Sequence, residues 1–102
     1  MKQLKKADKF INSLTKKQLA AVQKALAELD ERKWNMREPK TETIHEHKGL
    51  MCLRVITAEN WIRLFYCFSK QEIVLLSGFF KKSNETPKRE IEAAYAAMHA
   101  LA

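Results

Sequence analysis

Cysteine, glycine and proline are all scarce in this chain, at two each in 102 residues. So little glycine and proline excludes collagen-like repeats and low-complexity linkers, and 46% hydrophobic residues exclude a disordered chain. Cys52 and Cys67 are too few and too far apart for a disulfide framework or a zinc site. They read instead as core thiols in a reducing, cytoplasmic setting. No apolar run approaches the roughly 20 residues that cross a bilayer, and residues 1–20 lack the apolar segment of a secretory signal. The length has room for a single domain, residues 1–102.

Acidic residues are the minority, 12 against 19 Lys and Arg, which leaves a net charge of +7. Most of the excess lies in residues 1–24, where seven lysines face Asp8 alone for a net +6. A basic segment of this kind suits a polyanion or an acidic protein partner, or is a solvated helix face.

Two apolar periodicities divide the chain. Leu4, Ala7, Ile11 and Leu14, with Phe10 beside them, make the stripe of an amphipathic helix over residues 3–14. Thr15 is placed to cap a second helix whose stripe is Leu19, Val22, Leu26 and Leu29, fading near Arg32. Pro39 falls in the loop that follows. The period then drops to two. Leu50–Val55 and Trp61–Phe68, joined by the polar stretch Thr57–Asn60, predict a β-hairpin, and Ile73–Phe80 predicts a third strand. Gly78 inside that strand signals a bulge or a close backbone approach. Thr86-Pro87 reads as N-cap and first residue of a last helix, with Ile91, Ala94, Tyr95, Met98 and Leu101 on its apolar face.

Setting Ile56 opposite Trp61 fixes a hairpin register. It puts Met51, Leu53 and Val55 across from Tyr66, Leu64 and Ile62 as one apolar face for the helices to cover. The other face then carries Arg54 directly opposite Arg63. Like charges so placed repel, so either each reaches an acid elsewhere, such as Glu72 or a helix carboxylate, or the two guanidinium groups await an anion. Lys81 and Lys82 end the third strand, and Lys88 and Arg89 open the last helix; these four either solvate their edges or converge on the same anion.

His45-Glu46-His47-Lys48 precedes the first hairpin strand. Alternation counted back from Arg54 puts Lys48 on the arginine face, whereas a break at Gly49 presents His47. Two histidines without a third ligand make no metal site, so neither metal nor cofactor is expected. His99 reads as exposed.

Four stretches taken together resemble a known family. Gly49-Leu50-Met51-Cys52-Leu53-Arg54-Val55, Trp61-Ile62-Arg63-Leu64-Phe65-Tyr66, Ile73-Val74-Leu75-Leu76-Ser77-Gly78-Phe79-Phe80-Lys81-Lys82 and Thr86-Pro87-Lys88-Arg89-Glu90-Ile91 look like successive motifs of RelE/ParE-superfamily toxins, in the HigB-like, phage-derived branch. The resemblance implies an α+β fold: a small twisted antiparallel sheet with two N-terminal helices on one face and a C-terminal helix. It also implies the toxin of a type II toxin–antitoxin pair. Members of the RelE and HigB branches cleave mRNA at the ribosomal A site, whereas ParE members poison DNA gyrase without hydrolysis.

Carried onto this chain, the family pattern makes Arg54, Arg63, Lys81 and Lys82 the catalytic candidates; strand parity and the start of the last helix add His47, Lys48, Lys88 and Arg89 as candidates for holding substrate. The implied partners are the ribosome, mRNA and a cognate antitoxin, usually a helix-turn-helix protein; the charge of residues 1–24 suggests that it binds against the two N-terminal helices. Met51-Cys52 stands where the branch has Trp-Glu, no C-terminal tyrosine matches because Tyr95 lies on the core stripe, and the family's N-terminal strand is barely present in Met1–Lys6. An mRNA endonuclease, a gyrase inhibitor and an inactive relic that binds RNA or protein are the three readings these residues leave open.

Overall fold

The two N-terminal stripes fold as α1 (Lys5–Asn12) and α2 (Lys16–Arg32) in the computed structural model, which describes residues 1–101. Thr15 caps α2 as expected. Its hydroxyl accepts from the Gln18 N–H at 3.2 Å, while the Gln18 side chain accepts from the Thr15 N–H at 2.9 Å, so two orphan donors are satisfied reciprocally. α1 starts later than its stripe predicts. Lys2–Gln3 form a short strand, β1, and the Leu4 N–H donates to the Leu75 carbonyl at 2.9 Å, which commits Leu4 to the sheet.

After α2 and a short 3₁₀ turn, β2 (Thr41–Thr43) forms where the sequence predicts only loop. The hairpin strands are β3 (Met51–Ile56) and β4 (Trp61–Ser69), followed by β5 (Glu72–Lys81) and α3 (Lys88–His99). The sheet order is β1-β5-β4-β3-β2. The sheet is antiparallel except at β1, which runs parallel to β5 along its open edge, with Lys2 beside Val74. The β3–β4 register is the one the alternation predicts, with Met51 opposite Tyr66 and Arg54 opposite Arg63. The cap of α3 differs by one residue: Pro87 is the N-cap, without a side-chain hydrogen bond, rather than Thr86.

Each face of the sheet buries its own cluster. Leu53, Val55, Ile62, Leu64 and Tyr66 lie under Ala7, Val22 and Leu29 of the N-terminal helices. Cys52, Phe65, Cys67, Val74 and Leu76 lie under α3, packed on Ile91, Ala94, Tyr95 and Met98. Gly78 is a close approach, since a Cβ there would sit 2.4 Å from the Phe10 ring and 2.7 Å from Leu64. Register also slips by one residue beside it, between Phe65–Ser77 and Tyr66–Leu75.

The β4–β5 connection is a two-residue turn in which Lys70 and Gln71 both take positive φ, 51° and 67°. This left-handed pair matches the twist of a hairpin but suits Asn-Gly far better than Lys-Gln. Replacing Lys70-Gln71 with Asn-Gly is expected to stabilise the fold by about 0.5–1 kcal/mol. A urea midpoint that fails to rise, at unchanged slope, would show that the turn is not strained.

Candidate functional site

Strand alternation and the limited reach of α3 together create the site. On the α3 side of the sheet, the helix covers the residues around Phe65 and Cys67. The other end of that face carries Arg54 and Ile56 from β3, Trp61 and Arg63 from β4, and Lys81 from β5, placed by cross-strand register.

Arg54 and Arg63 solve their mutual repulsion differently. Arg54 makes an ion pair with Glu42 of β2, and its Nη1 also donates to the Pro39 carbonyl at 3.4 Å. The acid is neither Glu72, which lies at the far end of β5, nor a helix carboxylate. Glu42 shares the arginine face because β2 pairs with β3 and sets it opposite Cys52. The Nε of Arg54 is buried with no hydrogen-bond partner among the described residues.

Arg63 is only 6% exposed, and among the described residues no carboxylate lies within ion-pair distance of it. Its one side-chain hydrogen bond among the described residues runs from Nη1 to the carbonyl of Ile62, at 3.3 Å. Burial lowers its pKa from the ordinary guanidinium value, and the neighbouring Arg54 acts in the same direction. A guanidinium nevertheless stays protonated throughout the physiological range. Four of its five N–H donors are thus left for an anion, and a buried cation without one is a standing penalty.

Cys52 lies at the centre of these groups. Burial pushes its thiol up to about 12, helped by Glu42, while Arg63, Arg54 and Lys81 act weakly the other way. The nearby cations therefore fail to activate it, and Cys52 and Cys67 are both buried free thiols.

Arg54, Arg63 and Lys81 are the predicted site residues that the fold brings to one neighbourhood. Lys82 is exposed just past β5 and lines a cleft with Lys81 and Trp61. Lys88 forms an exposed pair with Glu92 of its own helix at 3.9 Å, and Arg89 is exposed beside it. Lys48 is exposed in the turn before β3.

His47 is engaged elsewhere. Positive φ at Glu46 and Gly49 breaks the alternation before Met51, and the imidazole packs edge-on against Tyr95 with centroids 4.6 Å apart. His99 meets the same Tyr95 ring at 4.4 Å, and His45 is exposed. Among the described residues no group of three or more His, Cys, Asp or Glu side chains could hold a metal ion.

Two members of this face escape sequence reasoning. Glu42 sits in a stretch too short to read as a strand, its only signal being the flanking β-branched Thr41 and Thr43. Trp61 reads as an ordinary strand aromatic, yet it is 46% exposed.

Helices on both faces of a small five-stranded sheet, with opposed arginines at one end of the α3 side, define an α+β domain consistent with the RelE-like fold. The model of the Gp49-like phage-derived proteins (DUF891) matches residues 9–99, and the chain belongs to this family, one of the RelE/HigB-like toxin type. No curated protein matches the sequence. No described helix is long and apolar enough to cross a membrane.

Proposed function

We propose that this chain is the toxin of a type II toxin–antitoxin pair, of the HigB-like branch, and acts as a ribosome-dependent mRNA endonuclease. The observation that carries the reading is Arg63, a buried guanidinium with no carboxylate at ion-pair distance among the described residues, directly opposite a second arginine in the β3–β4 register. Phosphate fits that need, because guanidinium groups bind its oxygens two at a time.

In the proposed reaction the 2′-hydroxyl attacks the adjacent phosphorus, forming a 2′,3′-cyclic phosphate and breaking the bond to the 5′-oxygen. Arg63 and Arg54 stabilise the charge that builds on the equatorial oxygens. The Glu42 carboxylate accepts the proton of the 2′-hydroxyl once substrate phosphate draws Arg54 away from it. The Lys81 ammonium donates a proton to the departing 5′-oxygen. Glu42 thus fills the role of general base, beside the two guanidinium groups.

Expression in growing cells should arrest growth and produce mRNA ends inside translated regions, read by primer extension. Intact mRNA together with an induced DNA-damage response would instead indicate a gyrase inhibitor. Glu42→Gln is expected to slow cleavage roughly 10²- to 10⁴-fold. A variant that cleaves at the parent rate would exclude Glu42 as the base. The proposed antitoxin binds the lysine-bearing surfaces of α1 and α2, which lie on the other side of the sheet from the arginines.

A further inference from the structure

Four large apolar side chains are substantially exposed among the described residues, and two of them, Ile56 and Trp61, stand opposite each other at the tip of the β3–β4 hairpin. Trp61 has cations on two sides. Arg63 lies two residues along the same strand, about 7 Å away at strand rise. Lys81 is its register partner on β5. Beside the indole, an open cleft of about 540 Å³ runs between the turn residues Glu59 and Asn60 and the end of β5, with Lys81 and Lys82 in its wall.

The platform is held still. The Thr57 N–H donates to the Asn60 carbonyl at 2.9 Å, and Gln18 of α2 donates to the Asn60 side chain at 2.8 Å, tying the turn to the helix layer. The hairpin needs no exposed indole for this closure. Ile56 also leaves nearly half of Trp61 exposed, so the pair is more than mutual shielding.

We propose that Trp61 is a stacking platform for one nucleobase of a single-stranded RNA, with the phosphate of that nucleotide held by Lys82. An aromatic face beside ammonium groups is the chemistry that binds unpaired nucleotides without reading their sequence. An acidic peptide would satisfy the lysines but has no flat group for the indole. The proposal rests on the reading of Arg54 and Arg63 as a phosphate site: Trp61 fixes the nucleotide neighbouring the one whose phosphate reaches Arg63.

The test uses the full chain carrying Trp34→Phe. Trp34 packs against Phe68, on the helix-covered face, so its removal leaves Trp61 as the only indole. The probes are a short 2′-O-methyl RNA, which cannot be cleaved by 2′-oxygen attack, and the same backbone made abasic. The base-bearing strand is expected to quench Trp61 fluorescence. In the same background, Trp61→Ala should weaken its binding roughly 5- to 100-fold, followed by anisotropy of an end label, while Trp61→Phe retains most of the affinity. The abasic strand should bind the Trp61→Ala chain and its parent equally, and Arg63→Ala should weaken both strands.

Unchanged affinity of the Trp61→Ala chain for the base-bearing strand would overturn the stacking platform while leaving the arginine site intact. That result would also mark the hairpin tip as a surface for protein. Failure of either strand to bind at low salt would overturn the phosphate site and this proposal with it.

Discussion

Replacing Arg63 by methionine is expected to abolish toxicity and at the same time make the protein more stable. The residue is 6% exposed and has no carboxylate partner among the described residues, so the folded state carries a desolvated positive charge opposite a second one. An unbranched apolar side chain of similar length removes that charge and still packs beside Phe79, the register neighbour on β5. Stability should rise by about 1–3 kcal/mol, within the range seen when buried charges give way to well-packed apolar groups. Cleavage should fall by at least roughly 10²- to 10³-fold, the usual consequence of losing a preorganised donor to developing charge.

Arg54→Met should behave differently. It strands Glu42 without its partner and is expected to lose stability together with activity. Denaturation midpoints and primer extension on the two variants separate the cases. An Arg63→Met protein that is less stable than the parent would make Arg63 a structural residue and remove the main support for a phosphate site.

Gly78→Ala is expected to be the most damaging single-methyl change in the chain. Its Cβ would lie 2.4 Å from Cδ2 of Phe10, 2.8 Å from Cε2 of the same ring and 2.7 Å from Leu64, all well inside contact distance. Phe10 has little room to swing aside, because its ring packs against Phe80 with centroids 5.1 Å apart. Overpacking of this kind costs about 1–3 kcal/mol. In a domain of this size each kcal/mol lowers the melting temperature by roughly 4–8 °C.

The clash lies between α1 and β5, so Phe10→Ala should make Gly78→Ala less harmful than it is in the parent. The expected coupling in a double-mutant cycle is about 1 kcal/mol or more. Additive effects would place the damage in the β5 backbone rather than at the helix contact.

Everything set by short-range periodicity was legible in the residues. The 3, 4, 3 spacing of Leu19, Val22, Leu26 and Leu29 marks α2, and the alternation around Leu53 and Leu64 sets the β3–β4 register. That register opposes Arg54 to Arg63 before any fold is known, because a hairpin is local and a one-residue slip would expose its apolar face. Strand alternation also puts Lys81 on the same side as Arg63 once β5 pairs with β4.

Contacts between residues distant in sequence were not legible, because alternation carries no information across a loop. Lys2–Gln3 become a strand through β5, more than 70 residues away, and no pattern in two residues announces it. Thr41–Thr43 depend likewise on pairing with β3, and that pairing alone delivers Glu42 to Arg54. Left-handed φ at Glu46 and Gly49 cancelled the alternation that would have aimed Lys48 at the arginines, and it turned His47 onto Tyr95. Which arginine gains an acid and which stays bare, and that an indole stands beside the bare one, follow from where α3 stops covering the sheet and β2 starts to flank it. Both are packing outcomes, fixed by how whole layers meet rather than by any residue's immediate neighbours in the chain.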